Sequence, residues 1–323
     1  MYDQDYNVLA KAEANKEKSE LRRYGILGGV CVIGFLLMQE LLALPLRLFG
    51  LIELYNSDML FYQAVGMFIT VFAICTPFLL CGLYEKKYTT YEIFPMDKPK
   101  DSVLSVLAIP AGVSLCLMSS TVTGYLTAFL EQLGLKLTSP DMSLPDSGFE
   151  LVLYFMRLTI VAAVIEEISF RGVIMQPLRK YGDGFAIAMA AIIFGLVHCN
   201  LIQAPFAFLA GLVIGYFTIV TDSLWTGIFI HLLNNSVSGI LSYISTNFGE
   251  EVLLSAGNVI YTAVMIIGFV CLALFFLRKG GISTHGRRTF ISKGEKVKAY
   301  LLNLPMILAF IAICWYTLPY IEI

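Results

Sequence analysis

Residues 149–176 read FELVLYFMRLTIVAAVIEEISFRGVIMQ. For most of its length this is a run of Leu, Val, Ile, Phe and Ala, long enough to cross a hydrocarbon layer about 30 Å thick as a helix. Yet it carries Arg157, Glu166, Glu167 and Arg171 in its interior. An ionisable group in a span costs about 2.5–3.5 kcal/mol on insertion scales, so four in one segment need partners or a task.

Working outward, similar runs occupy 25–46, 59–83, 103–130, 184–200, 203–221, 223–245, 252–277 and 299–320. The chain is 58% hydrophobic and 14% charged over 323 residues, which excludes a water-soluble globule. Runs of this length exclude the short alternating segments of a β-barrel, and in lipid the remaining architecture is the helix. The expected fold is therefore all-α: a polytopic transmembrane helical bundle of eight to nine spans around a buried cavity. The lower number applies if the short fifth run and its tight connection VHCNLIQAP form a re-entrant segment. Four regions follow: a polar cytoplasmic tail at 1–23, N-terminal transmembrane helices at 24–147, a core at 148–246 that holds the intramembrane charges, and C-terminal transmembrane helices at 247–323.

Charge placement sets the expected orientation. Residues 1–23, 86–100, 179–180 and 278–298 hold 18 of the 22 Lys and Arg residues, whereas the other side keeps only Arg47 and Lys136. By the positive-inside rule the N-terminus is cytoplasmic and the C-terminus is not. The seven cysteines are scattered through apolar segments and show neither a disulfide framework nor a zinc-finger spacing. Nothing in the composition points to nucleic acid.

The polar intramembrane residues gather between 157 and 235. Glu167 and Arg171 are four apart, so they share a helix face and neutralise each other. Glu166 is rotated about 100° away and is left to face a cavity. His231 and Asn235 repeat the four-residue offset on a later helix, as do Phe194 and His198. A carboxylate, two imidazoles and an amide are the components of a water-activating hydrolase. An intramembrane proton relay would use similar groups, so a proton- or ion-coupled transporter is the alternative from another class. A non-catalytic bacteriocin-immunity or peptide-binding membrane protein is a third.

The ordered set Glu-Glu-x-x-x-Arg (166–171), Phe-x-x-x-His (194–198) and His-x-x-x-Asn (231–235) resembles the CPBP family, the CAAX proteases and bacteriocin-processing enzymes also called Abi. The resemblance covers about a third of the chain, residues 148–246. It implies an intramembrane endopeptidase in which Glu166 is the general base and His198 helps position the water. His231 with Asn235 then stabilises the oxyanion or binds a metal, and Glu167, Arg171 and Phe194 support the site. It implies no organic cofactor, and a peptide or membrane-anchored protein as partner within the lipid bilayer. Both a metal-free glutamate mechanism and a zinc mechanism stay open: Glu166, His198 and His231 would suffice for an open zinc site, although the HExxH signature is absent. Arg157 receives no role at this level, and Asn234 is a rival to Asn235.

Overall fold

A computed structural model describes residues 2–84, 94–140, 143–146, 148–282, 284 and 286–322. The helices are α1 (Tyr2–Leu48), α2 (Ile52–Ser57), α3 (Met59–Tyr84), α4 (Ser102–Gln132) and α5 (Gly148–Tyr181). They continue with α6 (Asp183–Leu196), α7 (Gln203–Thr221), α8 (Leu224–Lys279), α9 (Lys293–Leu301) and α10 (Leu304–Thr317). One two-residue antiparallel pair, β1 (Lys136–Leu137) with β2 (Ile321–Glu322), joins the end of α4 to the C-terminus. The protein is an all-helical, multi-pass membrane protein.

By length and apolar composition six helices among the described residues can cross a membrane, or seven if α9 and α10, bent by 72°, count as one. This is fewer than the eight to nine expected, for two reasons. The expected fifth span is realised as only 14 helical residues, about 21 Å at 1.5 Å per residue, too short to cross. The expected spans 223–245 and 252–277 are both present, as the two arms of α8, and count once there only because the 56-residue stretch runs on through a kink.

That element is not straight. Gly249, at φ 80° and ψ 175°, takes a backbone conformation that side chains with a Cβ rarely adopt, and the helix folds back there. Its two ends meet the same end of α4: Ser105 Oγ lies 2.6 Å from Thr226 Oγ1, and Arg278 Nε donates to Asp101 Oδ2 at 2.7 Å.

Helices α6 and α7 form a hairpin with both feet held by one guanidinium. Arg179 reaches Asp183, at the start of α6, and Asp222, just past α7, each at 3.2 Å. Lys100 adds a 2.8 Å contact to Asp222. Burial pushes the Asp222 carboxyl up, but the bonds from Lys100 and Arg179 outweigh it and hold the group below its ordinary range.

The basic segments converge on this end of the bundle through Lys180–Glu20 (2.6 Å), Lys18–Glu295 (2.7 Å) and the Lys296 ammonium on Tyr181 O (2.7 Å). Lys86 and Lys87 lie outside the described residues. Arg47, with Glu40, and Lys136, with Glu322, stand at the far end, more than 25 residues of α1 away in the first case. The polar stretch expected as a tail is the first half of α1 and packs along α9 rather than ending at residue 23.

Candidate active site

Helix α5 is where the local structure departs from a simple α-helical reading. It is α-helical at 148–155 and 162–166, but Met156–Val161 and Glu167–Met175 are π-helical. Such wide turns are rare and concentrate at functional sites. The second begins between the two carboxylates, so Glu166 ends a regular turn and Glu167 opens a wide one.

The four-residue pairing survives this change. Arg171 Nη1 donates to Glu167 Oε1 at 2.8 Å, with the two side chains 1% and 0% exposed. The same oxygen receives His231 Nδ1 at 2.9 Å. Glu167 therefore holds two donors at once, and this bond places the His231 proton on Nδ1 and turns Nε2 away from it. Glu166 stands on the other edge of that ring, Oε2 to Nε2 at 3.8 Å. The rotation between Glu166 and Glu167 separates their partners less than helix geometry suggests, because an imidazole presents a nitrogen on each of two edges and both carboxylates meet the same one.

The Phe194 ring is the packing centre. The Arg171 guanidinium lies over it at 4.4 Å, and Phe170, His198 and His231 surround it with ring centroids at 5.0, 5.2 and 5.9 Å. His198 lies two residues past the end of α6, in the turn that leads to α7. Its Nδ1 is 2.8 Å from Phe194 O, which makes it the donor to a carbonyl at the helix end and leaves Nε2 without a partner among the described residues. Cys199, at φ 52°, and the Asn200 side chain, which donates to His198 O at 2.8 Å, shape this turn. Irregular backbone at this depth is tolerated where it lines a protein cavity rather than lipid.

Glu166, His198, His231 and Asn235 line one cavity of about 340 Å³, shared with Arg157, Asn234 and Gln203. Glu166 and His198 also line a neighbouring apolar pocket of about 100 Å³ formed with Phe35, Ile74, Phe78, Phe170 and Val197. Asn235 Nδ2 donates to Leu158 O at 2.9 Å, and Asn234 Nδ2 donates to Asn235 Oδ1 at 3.2 Å. The two asparagines act in series, with Asn235 nearer the backbone of α5. Phe194 also lines this cavity, whereas Glu167 and Arg171 do not.

The sequence gives no notice of Gly227, one turn before His231. A Cβ there would run into Thr218 Oγ1 and come within 3.0 Å of Glu167 Oε2. Those two buried oxygens have no hydrogen-bond partner among the described residues. The four-residue offset from His231 is the one signal that could have drawn attention to it. No group of three His, Cys, Asp or Glu side chains stands at metal-ligating spacing among the described residues.

The fold and site define a class: a multi-pass helical membrane protein with a carboxylate and two imidazoles around a protein-lined cavity. Comparison with known proteins narrows it. Residues 148–237 match the family model described as type II CAAX prenyl endopeptidase Rce1-like. The chain is also 27% identical over 211 residues, 64% of its length and 84% of the relative's, to the "Putative membrane peptidase YdiL" of Bacillus subtilis (strain 168). The family match covers all three motifs, and the resemblance to CPBP-family intramembrane proteases holds. No solved structure matches the chain.

Proposed function

We propose that this chain is an intramembrane endopeptidase of the CAAX-protease type, in which Glu166 activates the attacking water. The observation that carries the reading is the lining of a single cavity by Glu166, His198, His231 and Asn235, drawn from three helical regions that are distant in sequence.

A water held between Glu166 and Nε2 of His198 loses a proton to Glu166 as its oxygen attacks the substrate carbonyl. The oxyanion that forms needs a donor, and Asn235 has one: its amide carries two N–H groups, of which one goes to Leu158 O. Glu166 then returns the proton to the leaving amine nitrogen as the carbon–nitrogen bond breaks, so one group serves as base and then acid. Glu167 fixes the tautomer and orientation of His231 beside Glu166, and Arg171 offsets the charge of Glu167. Glu166, His198 and His231 are not grouped at metal-ligating spacing among the described residues. The basic end of the bundle faces the cytoplasm in this reading.

The test is Glu166→Gln in the full-length protein in detergent or lipid. Cleavage is expected to fall at least about 100-fold, the lower range for a general base, with the helical signal and unfolding midpoint unchanged. Undiminished cleavage by a well-folded variant would remove Glu166 from the chemistry.

A further inference from the structure

Among the described residues, Arg157 is the one Lys or Arg in the wall of the catalytic cavity. It lies in the first π-helical stretch of α5, within the apolar span. Its guanidinium carbon lies over the face of Tyr62 at 5.9 Å, and no carboxylate among the described residues pairs with it. The contrast with Arg171 on the same helix is direct, since that guanidinium is fully buried on Glu167 and Phe194. A seat is nevertheless built for Arg157: a Cβ at residue 66 of α3 would collide with its Nη1 and Cζ, so Gly66 is what lets the guanidinium lie there.

A charge in a span that is neither paired nor at the interface marks a place where an ion or substrate goes. A guanidinium presents a fork of donors that fits a carboxylate. Arg157 precedes Glu166 by nine positions, an axial separation of about 13 Å at helical rise. An extended peptide advances about 3.3–3.6 Å per residue and covers that distance in roughly four residues.

We infer that Arg157 is a specificity-determining residue that binds a carboxylate of the substrate peptide, a few residues from the bond that is cut. The inference rests on the peptidase reading above and deepens it. The carboxylate has two sources in a peptide, the free C-terminus or an Asp or Glu side chain, and one experiment separates them.

Full-length Glu166→Gln protein in detergent micelles is titrated with three fluorescein-labelled apolar decapeptides of one parent sequence: C-terminal acid, C-terminal carboxamide, and carboxamide with one Glu near the C-terminus. Binding is read by anisotropy with Arg157 intact, with Arg157→Gln and with Arg157→Lys. Arg157→Gln is expected to weaken the preferred acidic peptide about 10- to 100-fold and to leave the neutral carboxamide within about twofold, while Arg157→Lys recovers part of the loss. Preference for the first peptide assigns the C-terminal carboxylate, and preference for the third assigns the side chain. Equal affinity for all three, no binding by any of them, or an equal loss for all three in Arg157→Gln overturns the inference. Those outcomes leave the base role of Glu166 standing, because that role fails only if the Glu166→Gln protein still cleaves.

Discussion

Replacing Arg171 by Met tests the claim that a buried ion pair supports the catalytic imidazole. The guanidinium and the Glu167 carboxylate are 1% and 0% exposed and 2.8 Å apart. At an effective dielectric of about 20, unit charges some 4 Å apart attract by about 4 kcal/mol. Methionine fills much of the volume against Phe194 but leaves Glu167 charged, out of water, with His231 as its remaining partner. Removing one member of a buried pair costs about 3–5 kcal/mol, most of it the desolvation of the charge left behind. The double variant Glu167→Gln with Arg171→Met removes that orphan while its amide oxygen can still accept from His231 Nδ1. It is expected to recover about 2 kcal/mol or more relative to Arg171→Met alone. Reversible unfolding in mixed micelles, followed by far-ultraviolet circular dichroism, gives both differences. An Arg171→Met protein within about 0.5 kcal/mol of wild type, or a double variant no better than the single, would refute the idea that Arg171 exists to neutralise Glu167.

Gly227→Ala places a methyl against Thr218 Oγ1 and Glu167 Oε2. It is expected to cost about 1–3 kcal/mol through overpacking and to lower activity by disturbing His231, and adding Thr218→Ala should restore part of both; failure of that rescue would show that the clash lies elsewhere. Asp101 caps α4 through the Leu104 amide and receives Arg278, and these bonds, that of Arg278 foremost, hold its carboxyl below the usual range. Its contribution to stability is therefore full above the unfolded value of about 3.9 and fades as pH falls through the lower folded value. Asp101→Ala should destabilise the protein at neutral pH and converge on wild type below about pH 4, and a difference that persists in acid would contradict this account. The losses expected for Glu166→Gln in cleavage and for Arg157→Gln in peptide binding complete the set.

The sequence by itself determined the class of fold and the nearest-neighbour chemistry. Apolar runs of about 20 residues leave the backbone no way to satisfy its hydrogen bonds in lipid except as helices. A four-residue spacing brings Glu167 to Arg171 in whatever bundle holds them, because that contact is made within one helix. Tertiary structure decided what depends on contacts between helices. The return of the second apolar run of α8 to the same end of α4 as the first turns on a positive φ at Gly249. No local residue pattern announces the wide turns of α5. Two carboxylates on one imidazole, the reach of Arg179 to Asp222 and the glycine that makes room for Glu167 all join residues far apart in the chain. Periodicity orders side chains around one helix axis, whereas the distance between two axes is fixed only when their side chains interlock.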